Sequence, residues 1–177
     1  MENKKKTEFL PICIAVMTVS DTRSLADDRS GDTLVERLET AGHVLADRAI
    51  IKDEVDLIVD KLREWIDNRE IDAVITTGGT GVTGRDVTPE ALARVQEKDI
   101  PGFGELFRWI SYQKIKTSTI QSRACAGVAN STYIFVLPGS TGACKDGWDE
   151  ILKDQLDIRH KPCNLVELMP RLNEHKV

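Results

Sequence analysis

The run Ile12-Cys13-Ile14-Ala15-Val16-Met17-Thr18-Val19 is apolar at almost every position. A strand with no polar face is buried on both sides, which places it inside a parallel sheet covered by helices. The segments that follow fit that architecture. Leu34, Val35, Leu38 and Ala41 fall at helical spacing, with Ser30 as the expected N-cap and Gly42 as the stop. Val44 to Ile51 reads as a second strand. Val55, Ile58, Val59, Leu62, Trp65 and Ile66 then lie on one face of a helix. Ala73 to Thr76 forms a third strand. Thr88-Pro89-Glu90 opens the next helix as N-cap, N1 proline and first-turn acid. Phe103 to Ile115 is predicted helical, burying Leu106, Phe107 and Ile110. A strand over Thr132 to Leu137 precedes a last helix carrying Trp148, Ile151, Leu152 and Leu156. Alternating strands and helices predict an α/β fold with a mostly parallel sheet.

A chain of 177 residues supports one substantial core and not two comfortable domains. The expected organisation is a disordered tail over residues 1–10 and a single domain over 11–172. Lys4, Lys5 and Lys6 before Leu10 to Val19 mimic a signal peptide. Glu8 and Pro11 are misplaced for one, no small-residue cleavage site precedes Asp21, and the run is too short to span a membrane. A net charge of −5 argues against a general nucleic-acid binder. A local phosphate site is compatible with that charge, because backbone amides bind anions. Cys13, Cys125, Cys144 and Cys163 form no C-x-x-C pair, and His43, His160 and His175 form no H-x-x-x-H pattern. Reduced thiols, no zinc and a cytoplasmic location are expected.

Ligands of open parallel sheets bind beyond the carboxyl ends of the strands. Four such loops carry small or polar residues: Ser20-Asp21, Lys52-Asp53, Thr77-Gly78-Gly79-Thr80-Gly81 and Pro138-Gly139-Ser140. The glycine loop can present consecutive amides and two threonine hydroxyls to a phosphate. Its competing reading is a tight turn without a ligand. It is neither a Walker A motif nor G-x-G-x-x-G. Asp86 is either a Mg²⁺ ligand shared with substrate phosphates or a loop acid paired with Arg85. Asp53 has an N-cap reading beside a chemical one. Asp21, Asp27 and Asp28 read as a solvated loop face, with Asp21 nearest the strand end. Arg123 is either a phosphate clamp or half of a surface ion pair. Ala124 to Ala129 is a small-residue stretch suited to a helix or loop packed on the sheet, with Cys125 a packed thiol.

Taken together, these residues resemble the MoaB/Mog family of molybdenum-cofactor biosynthesis proteins. The motifs that carry the likeness begin with Thr18-Val19-Ser20-Asp21 and Thr76-Thr77-Gly78-Gly79-Thr80-Gly81. Arg85-Asp86-Val87-Thr88-Pro89-Glu90 and Pro101-Gly102-Phe103-Gly104-Glu105 follow, then Ser122-Arg123 and Leu137-Pro138-Gly139-Ser140. The likeness runs from about Ile12 to Pro170, and Arg159-His160-Lys161-Pro162-Cys163-Asn164 is similar to the MoaB branch. It implies a three-layer αβα sandwich assembled as a trimer or hexamer, with no membrane partner. It further implies molybdopterin as substrate, ATP as co-substrate and Mg²⁺, with adenylylation of the pterin phosphate. Asp53 and Asp86 match the catalytic and metal carboxylates. Gly78, Gly79, Thr80 and Gly81, with Thr77, match the phosphate loop. Ser20, Asp21, Ser122, Arg123, Gly139 and Ser140 match its substrate surroundings. The alternative is a non-catalytic molybdopterin carrier of the same pathway.

Overall fold

The computed structural model describes residues 7–176. Residues 1–6 of the expected tail lie outside the described residues. Residues 7–10 have no regular structure, and Phe9 packs 5.1 Å from the His43 ring.

Six strands form one sheet in the order β2-β1-β3-β6-β5-β4. β1 (Cys13–Val19), β2 (Val44–Ile51), β3 (Ala73–Thr77) and β6 (Thr132–Leu137) run parallel. β5 (Cys125–Ala129) and the two-residue β4 (Lys98–Asp99) are antiparallel additions at one edge. The side chains of β1 and of Ile12 just before it alternate between two cores: Ile12, Ile14 and Val16 on one face, Ala15, Met17 and Val19 on the other. The first core is closed by Leu34 and Leu38 of α1 (Arg29–Thr40), Phe103 and Phe107 of α4 (Pro101–Ile115), and Cys144 of α5 (Thr141–Gly147). The second is closed by Ile58, Leu62 and Trp65 of α2 (Val55–Asp67) and Ala91 and Leu92 of α3 (Thr88–Ala93). Helices on both faces of the sheet make the three layers.

Several local expectations are corrected by tertiary contacts. α1 is capped by Asp28 and not Ser30: the Asp28 carboxylate accepts from the Gly31 amide at 3.0 Å. Nor is Asp28 a solvated loop acid. Its side chain is fully buried, taking hydrogen bonds from Thr18 Oγ1 at 2.7 Å and Arg48 Nη2 at 2.9 Å. Glu54, not Asp53, occupies the N-cap of α2, and it makes no side-chain cap bond. Thr88 is the first residue of α3, and its hydroxyl donates to the Gly78 carbonyl at 2.8 Å instead of capping the helix. The small-residue stretch is strand β5; its short side chains let the edge of the sheet pass under α4. Phe107 is buried and Ile110 half-buried, on the inward face predicted, whereas Leu106 is exposed because it falls off the stripe formed by Phe103, Phe107 and Ile110. α5 continues through a π turn at Trp148–Leu152, and Trp148, Ile151 and Leu152 are buried as predicted. No helix is long and apolar enough to cross a membrane among the described residues.

Candidate functional site

The chain leaves β1 for β2 on one side and reaches β3 on the other, so the loops after β1 and β3 diverge over a switch point. β6 is parallel to β3 and ends beside it. The crevice so formed is a cavity of about 580 Å³ lined by Ser20, Asp53, Gly78 to Gly81, Asp86, Ser122, Gly139 and Ser140, among others.

The glycine loop is held by its carbonyls. Gly78 O accepts from Thr88 Oγ1 and Gly79 O from the Thr88 amide. Thr80 O accepts from the Arg123 amide, and Gly81 O from Arg123 Nε. With every carbonyl satisfied by protein, the amides of Gly79 and Thr80 have no acceptor among the described residues. Amides left over in a loop of this kind are the donors an anion uses. Gly78 and Gly79 reach this conformation at φ 108° and 64°, where a side chain is strained.

The two candidate carboxylates flank the loop. A β-carbon placed on Gly79 would lie 3.2 Å from Asp53 Oδ1, and one on Gly81 would lie 2.6 Å from Asp86 Oδ2. Their environments differ in sign. Hydrogen bonds from the Thr83 hydroxyl at 2.6 Å and the Thr83 amide at 2.9 Å, with Arg123 nearby, hold Asp86 below the usual carboxylate range. Asp53 is pushed up by burial first and then by the negative charge of Asp21, with the least push from Asp86; a hydrogen bond from the Asp21 backbone and the Arg85 charge pull the other way. Asp86 is thus secured as an anion, whereas Asp53 carries unneutralised charge that a cation would relieve. Among the described residues no three His, Cys, Asp or Glu side chains cluster as a metal site. Two carboxylates with polyphosphate oxygens completing the shell suit Mg²⁺, which binds in that manner.

A family model described as a probable molybdopterin binding domain matches residues 15–158. The chain belongs to the MoaB/Mog family. Molybdenum cofactor biosynthesis protein B of Escherichia coli (strain K12) is 48% identical over 158 residues, 89% of this chain and 93% of that protein. The Bacillus subtilis (strain 168) protein of the same name is 41% identical over 156 residues, 88% and 91% of the two chains. A crystal structure of a molybdenum cofactor biosynthesis protein B superposes with a TM-score of 0.84 at 35% identity, covering 93% of this chain and 98% of that one. The molybdopterin biosynthesis enzyme MoaB of Thermus thermophilus gives 0.72 at 32% identity, covering 80% and 89%.

Three of the MoaB/Mog-matched positions stand outside the cavity wall. Thr77 is buried behind it, donating to Pro138 O at 2.9 Å and contacting Cys144 Sγ at 3.1 Å. Asp21 faces Arg85, which grips it through Nη2 and Nε, and also accepts from the Asp53 amide at 3.2 Å. Asp86 therefore has no ion pair with Arg85. Arg123 is bonded to Gly81 O, Asp86 O at 2.6 Å and the Glu90 carboxylate, so it braces the glycine loop from outside. Conversely, Arg23, Phe107, Ser111, Ile115, Ser118 and Gln121 line the cavity without having been singled out from sequence. The Ser118 to Ser122 stretch lacks periodicity and glycine, and only the 3₁₀ turn at Lys116–Gln121 folds it over the crevice.

The raised Asp53 predicts a pH signature. A carboxyl whose folded pKa exceeds its unfolded value loses folding stability as pH rises through that window. Asp53→Asn is neutral at all pH, so its Tm should exceed wild type at pH 7. The two should converge below about pH 4, the unfolded carboxylate range. Calorimetric scans of both proteins across pH 3–8 test this; a variant less stable at pH 7 would show that Asp53 is stabilised as an anion.

Proposed function

We propose that this protein binds molybdopterin in the crevice and adenylylates it with Mg-ATP. The observation that carries this reading is the pair of carboxylates, Asp53 and Asp86, set against Gly79 and Gly81 of a loop whose carbonyls are all occupied and whose Gly79 and Thr80 amides remain available. In this reaction a phosphate oxygen of the pterin bonds to the α-phosphorus of ATP. The bond to the β-phosphate side breaks, and pyrophosphate departs with the electron pair. The attacking oxygen is already anionic, so no general base is required and catalysis rests on positioning and charge neutralisation. Asp53 and Asp86 are the residues to hold Mg²⁺, which supplies charge neutralisation at the phosphates. The Gly79 and Thr80 amides orient a phosphoryl group, and the exposed Ile115 offers apolar surface to a planar ring.

A cytoplasmic, trimeric or hexameric protein fits this reading. Leu106, Trp109 (64% exposed) and Tyr112 form an apolar stripe on the outer face of α4, the kind of surface that a subunit contact covers. Pyrophosphate release from Mg-ATP and molybdopterin, with mass by light scattering on the same preparation, tests the whole. Turnover is expected in wild type and about a hundredfold less in Asp86→Asn and Asp53→Asn. Saturable pterin binding with no turnover in wild type would make the protein a carrier instead.

A further inference from the structure

Three arginines surround the crevice, and two are committed elsewhere. Arg85 is held by Asp21 through Nη2 at 2.7 and 2.8 Å, and Arg123 by Glu90 together with two loop carbonyls. Arg23 is the only lysine or arginine among the described residues lining the cavity. Its hydrogen-bond acceptors are neutral: Nη1 donates to Ser30 Oγ at 3.1 Å and Nη2 to Gly139 O at 3.0 Å. The nearest carboxylate, Asp28, lies 3.7 Å away, beyond hydrogen-bond reach, and is already paired with Arg48 at 2.9 Å. Two of the five guanidinium N–H groups are therefore used, and the charge has no hydrogen-bonded counter-ion.

The guanidinium is also next to the glycine loop. Its acceptor Gly139 packs against Gly78, with the Gly139 β-carbon position 3.2 Å from Gly78 Cα. A pocket whose other charged residues are Asp53 and Asp86 repels a phosphate unless a cation answers it. The geometry points to Arg23 as a phosphate-binding residue: it holds a phosphoryl group of the substrate at the Gly78 end of the loop, while Asp53 and Asp86 serve the Gly79 and Gly81 end. This rests on the proposed function for which phosphate is bound, the nucleotide's or the pterin's, and not for the binding of phosphate itself.

Arg23→Gln and Arg23→Lys decide it, titrated with ATP, inorganic pyrophosphate and adenosine in metal-free buffer containing EDTA. Arg23→Gln is expected to weaken ATP and pyrophosphate binding by about tenfold or more, the scale of a charge-assisted hydrogen bond. Adenosine binding should be unchanged, and Arg23→Lys should recover most of the loss. Equal weakening of adenosine and ATP, without rescue by lysine, would show that Arg23 only shapes the Gly139 turn and would overturn the proposal. So would unaltered pyrophosphate binding in Arg23→Gln. In the turnover assay, a rise confined to the KM for ATP assigns the phosphate to the nucleotide, and one confined to the KM for molybdopterin assigns it to the pterin. Pyrophosphate binding that depends on Arg23 in a protein with no turnover would leave this inference standing while the adenylylation reading fails.

Discussion

Asp28→Ala is expected to lower folding stability by about 3–5 kcal/mol, the cost of breaking a buried ion pair by removing one partner. On a chain of this length that shift moves Tm by on the order of 10 °C. The carboxylate has no solvent exposure and does three things at once. It caps α1 through the Gly31 amide, accepts from Thr18 at the end of β1, and neutralises Arg48 of β2. Alanine leaves the Arg48 guanidinium with the more exposed Asp32 as its one remaining carboxylate. Burial alone would raise the Asp28 pKa, but the bonds from Arg48, Thr18 and Gly31 outweigh it and hold it below the usual range. The stability it contributes is therefore present above the unfolded carboxylate pKa of about 3.9 and is lost as pH falls through the lower folded value. Urea titration at pH 7 of wild type and Asp28→Ala measures the effect; a difference under about 1 kcal/mol would show the network to be dispensable. The consequence reaches the site, because α1 carries Ser30, whose hydroxyl donates to Gly139 O at 2.8 Å.

Gly78→Ala is expected to be at least as damaging, and to remove phosphate binding with stability. Gly78 sits at φ 108°, and a β-carbon there would lie 2.2 Å from the Val19 carbonyl oxygen. The obstacle is backbone of the central strand β1, which cannot turn aside as a flexible side chain would. Strain at such a φ costs about 1–3 kcal/mol, and relieving the clash displaces the loop as well. Its amide bond to Leu137 O at 3.0 Å, which ties β3 to β6, is lost with it. Gly84 supplies the control. A β-carbon at Gly84 meets nothing within 4 Å, so Gly84→Ala should be neutral or stabilising by up to about 1 kcal/mol. Thermal unfolding of both variants with pyrophosphate titration distinguishes them; equal behaviour would refute the steric argument.

The element order was readable because helix and strand periodicities are local. A fully apolar Ile12 to Val19, a helical stripe from Val55 to Ile66 and a glycine loop straight after Ala73 to Thr76 leave little choice about what each segment becomes. The gathering of four loops at one end of the sheet also follows from the sequence, since strands joined through helices run parallel and end together. Local pattern is silent where the sequence offers no period. Ala124 to Ala129 is too small and too evenly apolar to declare itself a strand, and its antiparallel pairing with β6 across an Asn130-Ser131 turn fixes it. Ser30 and Asp28 are both good capping residues, and the choice between them was made by Arg48 and Thr18 from other elements.

The amino-acid sequence by itself thus determined the fold class, the family and which strand-end loops face the crevice. Only the tertiary structure decided how each charge is spent. Arg85 finds Asp21 across 64 residues, Arg123 reaches back 42 to Gly81, and Arg23 meets Gly139 across 116. Whether a carboxylate is buried and paired like Asp28, anchored like Asp86 or left uncompensated like Asp53 depends on groups brought together by the sheet order. Secondary structure is written in short-range periodicity, whereas electrostatic roles are set by distances and burial that exist only after the chain has closed on itself.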